Sequence, residues 1–200
     1  MTAFDDSHYA EHTFKDVVAS CSQAERVQFI ECTFTGCDFS ESTFNRCRFE
    51  DCTFTGCDLS LVSLPHSRFK QTEFKDCRLV GVNWSDADWE AGSLLSPRRV
   101  NFKSCLLDHS LFIGLELKAT GFKDCRLRNV DFEGANLTRA GFHGADLTAA
   151  RFAGCDLTEA DLTHATGYAI NAAHNTLHKT RFSLPEAVNL LHSLDIILED

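Results

Sequence analysis

The sequence has no apolar run long enough to cross a bilayer and no basic segment followed by an apolar stretch at its start. A cytoplasmic protein without membrane contact is expected. Positive charge is also scarce: 19 Lys and Arg face 29 Asp and Glu, for a formal net charge of −10. Direct binding to nucleic acid is disfavoured, because phosphates would repel such a chain, and a basic partner surface is more natural. No phosphate-cradling glycine loop occurs, and the nine histidines lie scattered without a recurring acid or nucleophile beside them. Catalysis needs convergent titratable groups in a pocket, so neither an enzyme nor a cofactor is expected. With 200 residues and no change of composition along the chain, one domain suffices.

Cysteine and phenylalanine, in contrast, are plentiful, at 10 and 17 residues. From Phe29 every fifth residue through Phe34, Phe39 and Phe44 to Leu94 is large and apolar, and the count resumes in a new phase from Phe102 to Leu162. Two places before each large residue stands a small one, such as Cys32, Cys37, Ser42, Val62 or Ala135, with Leu115 the only large occupant. The other positions are mostly polar. A period of five matches neither helix nor simple strand, so each unit must contain a turn. The chain then coils around its own core, each coil pairing with the next at about 4.8 Å. From Phe102 to Leu157 the large residue alternates between Phe and Leu, which favours an even number of units per coil. Four units to a coil stack Phe102, Phe122 and Phe142 in one column and Leu107, Leu127 and Leu147 in the next. The predicted fold is an all-β solenoid, a right-handed quadrilateral parallel β-helix, over residues 1–182.

Every cysteine but Cys21 occupies the small inward place, where it interchanges with Ala, Val, Ser and Thr. Buried free cysteine behaves as a small hydrophobe. Metal ligands must converge on a point, whereas these residues are distributed along columns, so no metal is expected. Stacked Cys37, Cys57 and Cys77 would come within disulfide reach, but their side chains point in parallel, and a reducing compartment keeps thiols free.

Three features lie outside the regular coil. Residues 1–26 keep the phase weakly, with Ala19 and Ala24 in the large place, and read as an imperfect capping coil. Residues 93–100, "SLLSPRRV", shift the phase and form a loop carrying Pro97, Arg98 and Arg99; it is either a contact element or a tolerated insertion. Over 183–200, Ser183 and Glu186 fit a capping box with Pro185 in the first turn. The α-helix this predicts puts Ala187, Leu190, Leu191, Leu194, Ile197 and Leu198 on one apolar face, which covers the last coil, a twofold partner, or both.

Charge is lopsided, with 16 acidic and 8 basic side chains in residues 1–96 against 13 and 11 in the remainder. With four units to a coil, Asp38 and Asp58 stack in one outward column with Arg78 next, and Glu116, Asn136 and Asp156 form another. Such columns either imitate the phosphates of a duplex or simply solvate the rod. Arg46, Arg48, Arg68, Lys70 and Lys75 also interrupt any uniform negative face.

The stretch "ANLTRAGFHGADLTAARFAGCDLTEADLTHA" at 135–165 resembles the pentapeptide-repeat family, whose consensus is Ala-Asp/Asn-Leu plus two variable residues. The family's fold is the same quadrilateral β-helix. The pieces "CRLVGVNWSDADW" (77–89), "LDHSLFIGL" (107–115) and "RFSLPEAVNLLHSLDIILED" (181–200) resemble the topoisomerase-protecting branch: the Qnr quinolone-resistance, microcin-immunity and albicidin-resistance types. That resemblance implies an acidic rod, dimerised at its C-terminal ends, that binds DNA gyrase and topoisomerase IV and counters their inhibitors. It also implies a contact role for the loop at Pro97, Arg98 and Arg99. A generic interaction solenoid without such a target is the alternative.

Overall fold

In the computed structural model, which describes residues 4, 6–89 and 100–194, the chain winds into a parallel β-solenoid. Thr13–Lys15, Thr33–Thr35, Thr53–Thr55, Thr72–Lys75, Val100–Lys103 and Gly121–Lys123 form one continuous sheet, and His8–Ala10, Gln28–Ile30, Arg48–Glu50 and Arg68–Lys70 form another. Shorter bridges such as Asp38↔Asp58 and Glu116↔Asn136 hold the other faces. The register places Phe34 over Phe14 and Phe54 over Phe34, so four units close each coil. Phe102 pairs with Phe74, an offset of 102 − 74 = 28, so one coil carries eight extra residues. Val100, at the edge of the expected loop, is instead a buried strand residue paired with Thr72.

Ring stacking follows from the strand spacing. Along the axis Phe34 and Phe54 lie 4.4 Å apart at 4°, Phe74 and Phe102 5.2 Å at 10°, and Phe102 and Phe122 5.2 Å at 7°. Around the coil the contacts are edge-on, as for Phe29 with Phe34 at 74° and Phe122 with Phe132 at 76°. Both geometries suit the aromatic quadrupole. Leu107, Leu127, Leu147, Leu117, Leu137 and Leu157 fill the alternate columns, fully buried.

The small inward place has a hydrogen-bonding role that explains its occupants. Cys37 Sγ donates to Phe14 O (3.5 Å) and Cys57 Sγ to Phe34 O (3.5 Å), each a carbonyl of the preceding coil. The Ser42, Ser67 and Thr72 hydroxyls donate to the equivalent carbonyls of Ala19, Phe44 and Phe49 at 2.6, 2.7 and 3.2 Å. A thiol or a short hydroxyl therefore fits where Ala or Val also fits. All ten cysteines are free, and only Cys21 is exposed.

Corners are made by left-handed residues at every fifth place, for example Gly36 (φ 62°), Glu41 (56°), Arg46 (54°) and Asp51 (53°). At Gly167 (φ 70°) a Cβ would also meet the Thr148 backbone at 3.0 Å, so both conformation and space require glycine there.

The two ends are closed differently. Ala19 and Ala24 leave room in the first coil, and Phe4 fills it, its ring 4.9 Å from Phe29 and 6.1 Å from both Phe39 and Phe44. At the other end the expected α-helix is a 3-10 helix, Glu186–Leu194. The capping box does not form because its side chains bind the last coil instead. Ser183 Oγ accepts from His164 N (2.8 Å), and the Glu186 carboxylate accepts from Gly167 N (3.3 Å) and Asn189 Nδ2 (3.0 Å). Ser193 Oγ accepts from Ala172 N (3.2 Å), and Leu190 packs against the core. No helix among the described residues is long and apolar enough to cross a membrane.

Candidate partner-binding surfaces

The outward carboxylates are corner-makers first. Asp38 Oδ1 accepts from Ser40 N (2.9 Å) and Ser40 Oγ (2.6 Å), and Asp58 Oδ1 from Ser60 N (2.9 Å). Asn136, Asp146, Asp156 and Asp161 accept in the same way from the N–H of Thr138, Thr148, Thr158 and Thr163. Asp and Asn favour such local turns because a short acceptor reaches the N–H two residues on. The recurring Asp/Asn-x-Ser/Thr triplet in the sequence carries this signal, although composition alone reads these residues only as surface charge.

Charge is retained at these corners. The Thr158 hydroxyl and N–H hold the Asp156 carboxyl below the ordinary range, with Lys118 adding to the effect. For Asp146 burial acts upward but is outweighed by Thr148 and Arg128, and for Asp161 by Thr163 and Arg181. These groups are ionised at neutral pH.

Stacking occurs as the four-unit coil demands. Asp38 bridges to Asp58 and Asp58 to Arg78, whose Nε lies 3.4 Å from Asp58 Oδ2. No cation pairs with Asp38 among the described residues. In the second column Asn136 separates the two acids and donates through Nδ2 to Glu116 Oε2 (2.9 Å), which relieves their repulsion. The C-terminal half is laced by pairs between coils: Arg126–Asp108 (2.7 Å), Arg128–Asp146 (2.6 Å), Arg139–Glu159 (2.7 Å) and Arg151–Asp131 (3.4 Å). Asp108 is buried; the more exposed pairs contribute about 0 to 1 kcal/mol each, and the larger effect of all four is to neutralise that half of the rod.

Pro97, Arg98 and Arg99 lie outside the described residues, as do Ile197 and Leu198. Ala187, Leu190 and Leu191 are half-buried on the terminal helix, of which Leu194 is the last residue. Beside them Leu184 and Val188 are 80% and 40% exposed, so apolar surface remains at this end. The structure thus separates the acidic columns on the sides of the rod from the apolar terminus.

The sequence matches the family described as pentapeptide repeat region over residues 27–97 and 98–162. The chain belongs to the pentapeptide repeat family. Among solved structures it is similar to a trypsin-treated form of QnrB1, a plasmid-mediated fluoroquinolone resistance protein, with 20% identity, a TM-score of 0.68, and coverage of 96% of this chain and 92% of that one. A second trypsin-treated form gives 18% identity and a TM-score of 0.71 over 96% and 97%. Full-length QnrB1 gives 18% and 0.65 over 94% and 100%. At these identities the likeness establishes a shared fold. No curated protein matches the sequence.

Proposed function

We propose that this protein is a non-enzymatic, DNA-mimicking ligand of DNA gyrase, and of topoisomerase IV, that protects them from inhibitors such as albicidin or quinolones. The observation that carries this reading is the match of 96% of the chain to a fluoroquinolone resistance protein of the same fold. The resemblance of residues 77–89, 107–115 and 181–200 to topoisomerase-protecting proteins supports it. In the acidic N-terminal half Asp38 pairs with no cation among the described residues, whereas Asp108, Asp146 and Glu159 of the other half are paired with arginines between coils, so Asp38 is a freer part of the mimic. The test is a supercoiling assay with purified gyrase: added protein restores supercoiling stopped by ciprofloxacin or albicidin, and unchanged inhibition contradicts the proposal.

The same reading includes a homodimer joined at the C-terminal ends, with Leu184 and Val188 in the contact. Both are exposed, so Leu184→Asp with Val188→Asp leaves the plug of the last coil intact. Sedimentation is expected to report a dimer for the parent chain and a monomer for the variant. A monomeric parent excludes the dimer.

A further inference from the structure

On this acidic rod one stretch of surface is basic. A groove of about 430 Å³ is lined by Arg26, Arg46, Arg48, Arg68 and His66, with Asp88 its only carboxylate among the described residues. It is built by the repeat itself. Arg26, Arg46 and His66 take the same left-handed corner (φ 58°, 54° and 56°) in three successive coils, and Arg48 and Arg68 are direct strand partners on the adjoining face. Two rows therefore run along the axis, Arg26, Arg46 and His66 at the corner and Arg48 and Arg68 on the adjoining face, with neighbours in a row about one strand spacing, 4.8 Å, apart.

The pairing here differs from that of the C-terminal half, where arginines reach acids on a neighbouring coil. Arg68 does bind Asp88 in that way, but Arg46 pairs with no carboxylate among the described residues. Among the described residues Arg26 reaches only its sequence neighbour Glu25, at 3.8 Å, and Arg48 only Glu50, at 3.6 Å, which is shared with Lys70 at 3.6 Å. Like charges facing one another across strands repel, and an anion lying between the rows would relieve that repulsion.

We propose that this groove binds a linear oligophosphate, supplied either as the triphosphate of a nucleotide or as free polyphosphate. A guanidinium fork matches phosphate oxygens in a bidentate manner. The charge is dense: four guanidinium groups sit within three coils. An extended acidic peptide presents carboxylates on one face only every ~6.8 Å and so brings fewer charges into that length than a phosphate chain does. No Phe, Tyr or Trp lines the groove among the described residues, so its recognition falls chiefly on the phosphates. The inference does not depend on the topoisomerase reading, since its probes are phosphates and its variants leave Asp38, Asp58, Glu116 and Asp156 in place.

Isothermal titration calorimetry on the full chain at low salt tests it, using sodium triphosphate, ATP, sulfate and an oligoglutamate peptide as probes. Triphosphate and ATP are expected to bind with similar affinity and sulfate much more weakly. Arg46→Gln is expected to weaken triphosphate binding about tenfold, and Arg46→Gln with Arg48→Gln by about a hundredfold. Arg139→Gln, on another part of the rod, should bind as the parent does, with circular dichroism confirming that each variant is folded. Absence of heat with triphosphate, undiminished binding by the double variant, an equal loss in Arg139→Gln, binding of ATP without triphosphate, or preference for the peptide would each overturn the proposal.

Discussion

Replacing Phe102 with Ala is expected to remove about 3 to 5 kcal/mol of unfolding free energy, the range for deleting a fully buried aromatic ring. Phe102 is 1% exposed and is stacked at 5.2 Å on Phe74 below and Phe122 above, with the Trp84 ring edge-on at 5.2 Å. It also stands where the chain re-enters the stack after the eight-residue insertion, so its loss loosens the contact between the two halves. In a solenoid each coil touches only its neighbours, and a weakened junction is expected to divide unfolding into two transitions. Urea denaturation followed by circular dichroism measures both effects. Phe102→Leu, which keeps most of the volume, should cost less than about 1.5 kcal/mol. A loss below about 1 kcal/mol for Phe102→Ala would mean that the column does not bear on stability.

Raising the pH is expected to unfold the protein well before its guanidinium groups titrate. Burial lifts Cys47 from the ordinary thiol value of 9.0 to about 11 and Cys52 to about 12. Cys77 and Cys105, each hydrogen-bonded to the free thiol one coil on and also desolvated by burial, rise to about 12. Cys57 is raised as well, chiefly by its hydrogen bond with the Cys77 thiol. In the unfolded chain these thiols ionise from about pH 8.5, while the folded chain holds their protons. The stability they contribute is therefore complete below about pH 8.5 and is lost as pH climbs toward 11 to 12. Each thiol removes roughly 1.4 kcal/mol per pH unit in that window. Cooperative unfolding is expected near pH 10 to 11, where an average domain stability of about 5 to 15 kcal/mol is exhausted. At pH 8 a thiol reagent should modify Cys21 quickly and the buried cysteines only after denaturant is added, because only Cys21 is exposed. Rapid reaction of several thiols in the native protein would contradict this packing.

The regular part of the fold was legible because one period governs it. Large apolar residues every fifth place specify the coil, and the Phe and Leu alternation favours an even number of units to close it; Phe34 over Phe14 and Leu127 over Leu107 follow from four. The ends were less legible because their partners are tertiary. Ala19 and Ala24 read as weak repeats, but nothing in the period says that Phe4 folds back to occupy the space they leave. Ser183 and Glu186 have the spacing of a capping box, yet the N–H groups of His164 and Gly167, on the preceding coil, take both side chains. The columns Asp38, Asp58 and Glu116, Asn136, Asp156 were placed correctly by counting. Their corner hydrogen bonds were not, although the Ser or Thr two places on marks them. The arginine groove was visible only as an interruption of negative charge, since its two rows converge only once a corner is built.

The most direct measurement of the proposed function is the gyrase supercoiling assay run with a corner-competent variant that lacks the column carboxylates: Asp38→Asn, Asp58→Asn, Glu116→Gln and Asp156→Asn together. Asn retains the acceptor that Ser40, Ser60 and Thr158 use, so the rod keeps its shape while its acidic columns lose their charge. The parent protein is predicted to restore supercoiling in the presence of ciprofloxacin or albicidin, less effectively as salt rises, and the variant to need several-fold more protein for the same rescue. Failure of the parent to rescue supercoiling at any salt, or equal rescue by parent and variant, would contradict electrostatic protection of gyrase by this solenoid.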